Sequence, residues 1–163
     1  MDEFVNGFCG LTADYSTAQM NGFKDAVKEF FCLSDDEAGS IKWEDLLRFC
    51  YIHYTRSVHK VAKNSDLIPG NKKDMFIELA LRLASRSISR SDFDSTVETI
   101  IKDFPSVSPW VRWYQQANKA KIAFPAMNES STRRSDDIID NTNAQESLNR
   151  IFNLVTVNKP KTI

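Results

Sequence analysis

The chain has 163 residues, of which 42% are hydrophobic, and 11 Phe and 3 Trp supply bulky core material. This composition excludes general disorder, and a formal net charge of −1 excludes a globally positive nucleic-acid-binding protein. The low counts of glycine and proline, 5 of each, favour helices over a turn-rich all-β fold.

Three features bear on where the chain resides. Cys9, Cys32 and Cys50 show no paired spacing, which is typical of a reducing compartment. The first residues, MDEFVNGF, lack the basic segment of a signal peptide. No apolar run approaches the ~20 residues that a membrane span needs. We therefore expect a soluble, intracellular protein without a membrane partner.

The first predicted element is a strand over residues 7–13, a short apolar run that ends at Asp14. A helix follows, capped by Ser16 or Thr17. Its apolar positions recur at helical spacing and are Phe23, Ala26, Val27, Phe30 and Phe31. The polar segment 34–40, SDDEAGS, predicts a loop after this helix.

The middle of the chain predicts a second strand and then helices. A short apolar cluster indicates a strand, although it could equally begin the next helix. Its members are Leu46, Leu47, Phe49 and Cys50. A basic helix is predicted over 53–63, and Pro69 with Gly70 predicts a turn. The next helix has its apolar positions at Met75, Leu79, Ala80 and Leu83.

The remaining predicted elements are helices. One is capped by Ser91 and stopped by Pro105, with the apolar stripe Phe93, Val97, Ile100, Ile101 and Phe104. Ser108 and Pro109 begin the next, with the stripe Trp110, Trp113, Tyr114 and Ala117. After a polar loop over 128–141, a capping box predicts a last helix; its residues are Thr142 and Gln145, with the stripe Leu148, Ile151, Phe152 and Val155.

Two carboxylates are candidates for chemistry. Asp14 follows a buried strand, which is where α/β folds place metal ligands and catalytic groups, but an Asp there could instead cap the next helix. Glu146 points away from the apolar stripe of the last helix, at about 100° per residue. A solvated Glu in a helix first turn is the alternative, because the helix dipole favours it.

A second candidate site lies at the start of the basic helix. Cys50 and His53 could supply half of a zinc site, but no second ligand pair has suitable spacing, so a structural role at a strand-to-helix junction is favoured. Four basic positions share one helix face at i, i+3, i+4 and i+7: Arg56, His59, Lys60 and Lys63. They could contact DNA phosphates, or they could form an ordinary solvated face.

Several short segments are informative when they are taken in order. They are 12–19 (TADYSTAQ), 50–53 (CYIH) with 56–58 (RSV), 110–113, 124–126 and 141–150 (NTNAQESLNR). Together they resemble the Mutator-like and hAT-like DDE transposases, which are RNase H-like enzymes, and the resemblance spans nearly the whole chain. In that family a catalytic Asp ends a central strand, a C-x-x-H pair and a helical insertion follow, and the catalytic Glu opens a later helix.

The resemblance implies that Asp14 and Glu146 are catalytic ligands of Mg²⁺ or Mn²⁺, and that Cys50 and His53 are an architectural pair. It implies an α/β, mostly helical fold with a partial RNase H-like core. The C-terminal part of that core would cover 1–64, an all-α insertion 65–130, and a loop with a returning core helix 131–163. Carboxylates suit the chemistry, because two divalent ions about 3.5–4 Å apart stabilise both oxygens of a phosphodiester displacement.

The chain departs from the family pattern in one respect. The family's first catalytic Asp lies on a strand upstream of the second, and only 13 residues precede Asp14. We therefore expect a fragment of a transposase that is inactive alone. Its expected partners are DNA at transposon ends, the upstream half of the catalytic domain and further copies of itself, in the nucleus or the cytoplasm. The alternatives are a non-catalytic helical module that binds DNA or protein, and a small zinc protein.

Overall fold

The computed structural model describes residues 11–14, 16–41 and 43–127. Over these ranges the chain is mostly helical and has one small parallel sheet, which confirms the mostly helical α/β class predicted from the sequence. Among the described helices, none combines the length and apolar character that crossing a bilayer requires. The predicted strand residues 7–10, the polar loop at 128–141 and the last helix with Glu146 lie outside the described residues.

The sheet consists of β1, Leu11–Ala13, and β2, Leu47–Phe49, paired in parallel with Ala13 opposite Phe49. The strand alternative for the second apolar cluster is thus confirmed. A parallel pair needs a long crossover connection. Here the connection contains three helices: α1 (Thr17–Phe30), α2 (Asp35–Ser40) and α3 (Trp43–Leu46).

Helix α1 begins where the Ser16 side chain accepts a hydrogen bond from the backbone N–H of Gln19, across 3.4 Å. Its buried residues are Met20 and Val27. Phe30, one of the apolar positions at helical spacing, is 79% exposed and does not contribute to the buried face. Phe30 lies on the last turn, and burial along α1 stops at Val27, one turn earlier.

The segment predicted as a polar loop is instead helix α2. Ser34 and Glu37 form a capping box: the Glu37 N–H donates to Ser34 Oγ across 3.3 Å, and the Ser34 N–H donates to Glu37 Oε2 across 2.9 Å. Three acidic residues in the first turn add a favourable interaction with the helix dipole. The loop prediction was wrong because reciprocal capping can start a helix that buries no apolar face.

Helix α4, Tyr51–Ala62, follows β2 and confirms the predicted basic helix. After Pro69, a 3₁₀ turn at Gly70–Lys72 leads into α5, Lys73–Leu83. Of the apolar positions predicted for α5, Ala80 and Leu83 are buried, whereas Met75 is 42% exposed and its neighbour Phe76 is fully buried instead. The larger aromatic side chain has taken the inward position.

Helix α6, Arg90–Asp103, is capped by Ser89 and not by the predicted Ser91, because Ser89 Oγ accepts from the Asp92 N–H across 3.1 Å. It ends before Pro105, as predicted. A 3₁₀ turn, Pro105–Val107, runs straight into α7, Ser108–Tyr114, so Ser108 is the first helical residue and not the predicted cap. The last described helix is α8, Ala117–Ala123.

The stripe predicted for α7 is only partly buried. Tyr114 is buried, but Trp113 is 37% exposed and Ala117 is exposed, while the unpredicted Val111 is buried. The continuous stripe assumed by the prediction does not form, because α7 ends at Tyr114 and Ala117 begins a separate helix.

The main core joins α4, α5, α6 and α7. Tyr54 is at its centre: its hydroxyl donates to the Ala80 carbonyl across 2.7 Å, and its ring packs against Trp110, Tyr114 and Phe124. The helices predicted as a separate insertion therefore share one core with α4. A second, smaller cluster places Ile122 of α8 against β2 and α1; its buried members are Met20, Leu47, Phe49 and Ile122.

Candidate functional site at the sheet edge

The parallel pairing brings the C-terminal ends of both strands to one edge of the sheet. The ladder continues for one more step, because the backbone N–H of Cys50 donates to the carbonyl of Ala13 across 2.8 Å. Asp14 and Cys50 are therefore the residues that directly follow the two strands at that edge. Parallel α/β sheets place their ligand sites at this kind of edge.

Two hydrogen bonds hold the backbone of Asp14. Its backbone N–H donates to Gln19 Oε1 across 3.1 Å, and its carbonyl accepts from the backbone N–H of Ser16. Helix α1 is capped by Ser16, so the capping role considered for Asp14 is filled by another residue. The Asp14 Oδ1 atom is buried, and no described residue donates a hydrogen bond to it. A buried carboxylate oxygen in this state normally has a cation or water as its partner.

Asp14 is one of the residues that line a cleft of about 400 Å³. His53 and Ser57 line the cleft from α4, where a spacing of four residues places both on one face. The remaining lining residues are Ser16 and Tyr114. The cleft thus joins the sheet edge, the first two turns of α4 and the end of α7.

Two helices contribute a hydrogen-bonded group beside the cleft. Trp110 Nε1 donates to Ser57 Oγ across 3.1 Å, which links α7 to α4. Burial raises the pKa of Tyr114 above its ordinary value, and a hydrogen bond with the Ser57 side chain lowers it in part. The Tyr114 side chain is thus a protonated hydroxyl at neutral pH, so it can donate a hydrogen bond.

The Cys50 and His53 pair is divided between two environments. Cys50 is fully buried at the junction between β2 and α4, and His53 lines the cleft beside Asp14. Within the described ranges, no three His, Cys, Asp or Glu side chains are grouped closely enough to hold a metal ion. The structural role of the pair therefore stays a prediction.

The predicted basic face is present on α4. Arg56, His59, Lys60 and Lys63 are exposed and line one groove of about 510 Å³, together with Tyr51, Ile52 and Thr55. At about 100° per residue, Arg56 and Lys60 lie on the side of this face that is nearest to His53. Helix α4 therefore contributes residues to both the groove and the cleft.

The sequence did not assign Ser57 or Tyr114 to the site. Ser57 carried a detectable signal, since it lies one turn after His53 on a predicted helix. Tyr114 carried none, because its aromatic ring fits a core stripe equally well and only the fold shows where its hydroxyl lies. Glu146, the other predicted catalytic carboxylate, lies outside the described residues.

The comparisons with known proteins add no relative. None of the protein-family models, curated proteins or solved structures matches this chain.

Proposed function

We propose that this chain supplies part of the metal-binding catalytic site of a DDE-type DNA transposase. Strands β1 and β2 would be late strands of an RNase H-like sheet, with Asp14 and Glu146 as ligands of a shared divalent cation. The observation that carries the proposal is the Asp14 carboxylate, which lies at the end of a parallel strand with a buried oxygen that has no hydrogen-bond donor among the described residues.

The residues of the cleft fit one side of a site for Mg²⁺ or Mn²⁺. Such ions prefer carboxylate and water oxygens, and they keep several waters when the protein supplies few ligands. Asp14 offers the oxygen, and the cleft of about 400 Å³ has room for coordinated water. When bound, the cation would polarise a phosphodiester oxygen or a water molecule.

The basic face of α4 supports DNA as the substrate. Helix α4 lines both this groove and the cleft at Asp14, so DNA bound in the groove would contact the helix that also lines the cleft. Arg56, His59, Lys60 and Lys63 would supply a local positive field that the net charge of the chain does not.

Divalent-cation binding tests the catalytic proposal directly. We expect the full chain to bind Mn²⁺, measured from the loss of the free-ion signal in electron paramagnetic resonance. Asp14→Asn should weaken that binding at least tenfold, whereas Asp66→Asn, which removes an exposed carboxylate elsewhere, should leave it unchanged. Equal Mn²⁺ affinity of the wild-type and Asp14→Asn chains would contradict the proposal.

The same basic face favours one alternative, a non-catalytic helical module that binds DNA. The two proposals differ in their dependence on metal. Salt-sensitive DNA binding that is unaffected by Mn²⁺ or by Asp14→Asn, from a chain that binds no Mn²⁺, would favour the alternative.

A further inference from the structure

Tyr51 is an exposed aromatic residue that joins two basic surfaces. It is the first residue of α4, and it is 43% exposed. It lines the basic groove of α4, and it also lines a second, small cleft of about 40 Å³. Of the described residues, Tyr51 is the one that lines both, so the groove and the small cleft meet at this residue.

The small cleft carries positive charge from three separate elements. Arg48 comes from β2, Arg86 from the segment that follows α5, and Lys121 from α8. Arg86 and Lys121 are exposed, and Arg48 is half-buried. None of the described residues that line this cleft is acidic. The cleft therefore favours an anionic group such as a phosphate.

The basic groove continues the positive surface on the other side of Tyr51. It follows α4 as far as Lys63, which is about 18 Å from Tyr51 at the helical rise of about 1.5 Å per residue. Cationic side chains thus lie on both sides of the aromatic ring. A phosphate backbone that contacts both surfaces has to pass Tyr51.

An exposed aromatic ring between cationic groups is typical of sites that bind single-stranded nucleic acid. The cations contact phosphates, and the bases stack on the aromatic ring. In a duplex the faces of the bases are covered by neighbouring base pairs, so an unpaired base is needed for stacking. Exposure alone does not mark such a site: Phe30 is 79% exposed, but it is not among the residues that line either basic surface.

We infer that DNA bound by this chain is single-stranded where it crosses Tyr51, with one base stacked on the Tyr51 ring. Its phosphates are held by the basic groove on one side of the ring and by the small cleft on the other. The inference rests on the proposed function, because it takes DNA as the substrate of the basic groove. It does not depend on a cation at Asp14.

Fluorescence anisotropy with the full chain and a labelled thymidine oligonucleotide of about 12 nucleotides tests the stacking. Tyr51→Ala should weaken binding about five- to 150-fold, which is the usual range for one stacked base. Tyr51→Phe retains the ring and should bind like wild type, as should the control Phe30→Ala. A duplex of the same length should bind equally to the wild-type and Tyr51→Ala chains.

The small cleft has variants of its own. Arg86→Gln and Lys121→Gln should each reduce the slope of log affinity against log salt, measured with the oligonucleotide, by about 0.7 for each phosphate that the side chain neutralises. Lys102→Gln, an exposed Lys near the end of α6, is the control and should leave the slope unchanged. Unchanged slopes in both cleft variants would overturn the inference, because the strand would then not reach the small cleft.

Photocrosslinking locates the stacked base directly. A strand that carries 5-iododeoxyuridine should crosslink to Tyr51, as mapped by mass spectrometry of the digested chain. Crosslinks only at Trp113, which is 37% exposed, or equal oligonucleotide affinity of the wild-type and Tyr51→Ala chains, would overturn the inference and leave the proposed function standing. A wild-type chain that binds neither the single strand nor the duplex would overturn the inference and also contradict DNA as the substrate in the proposed function.

Discussion

The backbone N–H of Cys50 donates to the carbonyl of Ala13 across 2.8 Å, so the parallel ladder extends to the residues where both strands end. This bond places Asp14 and the first turn of α4 at one edge of the sheet. His53 and the basic face follow from that placement, because they are carried on the helix that Cys50 begins. One backbone contact therefore determines which side chains surround the carboxylate.

The core around α5 should be the main source of stability. Phe76 is fully buried and packs edge-to-face on Phe104 and Trp110. Phe76→Ala should lower the free energy of unfolding by about 3–5 kcal/mol, because it removes apolar contacts and leaves a cavity. Urea denaturation followed by circular dichroism measures the change. The matched control is Phe30→Ala, which truncates a Phe that is 79% exposed and should cost under about 1 kcal/mol. Equal costs would contradict the core described above.

Two buried tyrosines should make the protein unstable at alkaline pH. Burial raises the pKa of Tyr54 well above its ordinary value and also raises that of Tyr114. The folded protein therefore favours the neutral tyrosines, and the free energy of unfolding does not change with their titration below the unfolded-state tyrosine pKa of about 10. As the pH rises above this pKa, the free energy of unfolding falls by up to about 1.4 kcal/mol per pH unit for each tyrosine.

The variant Tyr114→Phe shows how much of the alkaline loss of stability comes from Tyr114. It should reduce the alkaline slope of the unfolding free energy between about pH 10 and pH 11, and leave a constant difference from wild type at lower pH. Urea denaturation at a series of pH values gives the slope. A slope identical to that of wild type would show that Tyr114 titrates alike in the folded and unfolded states.

The basic face of α4 should dominate any DNA binding. Lys60→Gln and Lys63→Gln should each lower affinity for a DNA duplex and reduce the slope of log affinity against log salt by about 0.9 for each phosphate that the side chain neutralises. Fluorescence anisotropy with a labelled duplex measures both quantities. Lys102→Gln, an exposed Lys near the end of α6, is the matched control and should change neither. Equal effects at all three positions would indicate non-specific attraction.

The periodicity of the sequence predicted the helices and strands better than it predicted which of their residues are buried. The mostly helical class, the first strand and the basic helix agree with the sequence, because their periodic or apolar segments leave few alternatives, whereas the second apolar cluster fitted a strand and a helix equally well. The choice of Phe76 over Met75 as the buried residue depends on the space left by Phe104 and Trp110, which are distant in the sequence. Helix α2 was missed for a local reason, since the Ser34 and Glu37 capping pair was present in the sequence and was outweighed by its polar surroundings.

The candidate site was predictable only in part. Asp14 and the residues of the α4 face could be selected because they stand at fixed positions relative to a strand end or a helix period. Ser57 and Tyr114 enter the site through tertiary contacts across 57 residues of chain, the difference between their positions in the sequence. No local pattern predicts a hydrogen bond over such a separation.

The central claim is that Asp14 and Glu146 share one divalent cation. Iron-mediated cleavage tests it most directly, because Fe²⁺ bound in place of Mg²⁺ generates hydroxyl radicals that cut the polypeptide only close to the ion. With the full chain, ascorbate and peroxide, we predict cuts near residue 14 and near residue 146, both suppressed by excess Mg²⁺ and both abolished in Asp14→Asn. Cuts at only one of the two positions, or cuts near residue 146 that persist in Asp14→Asn, would contradict the account.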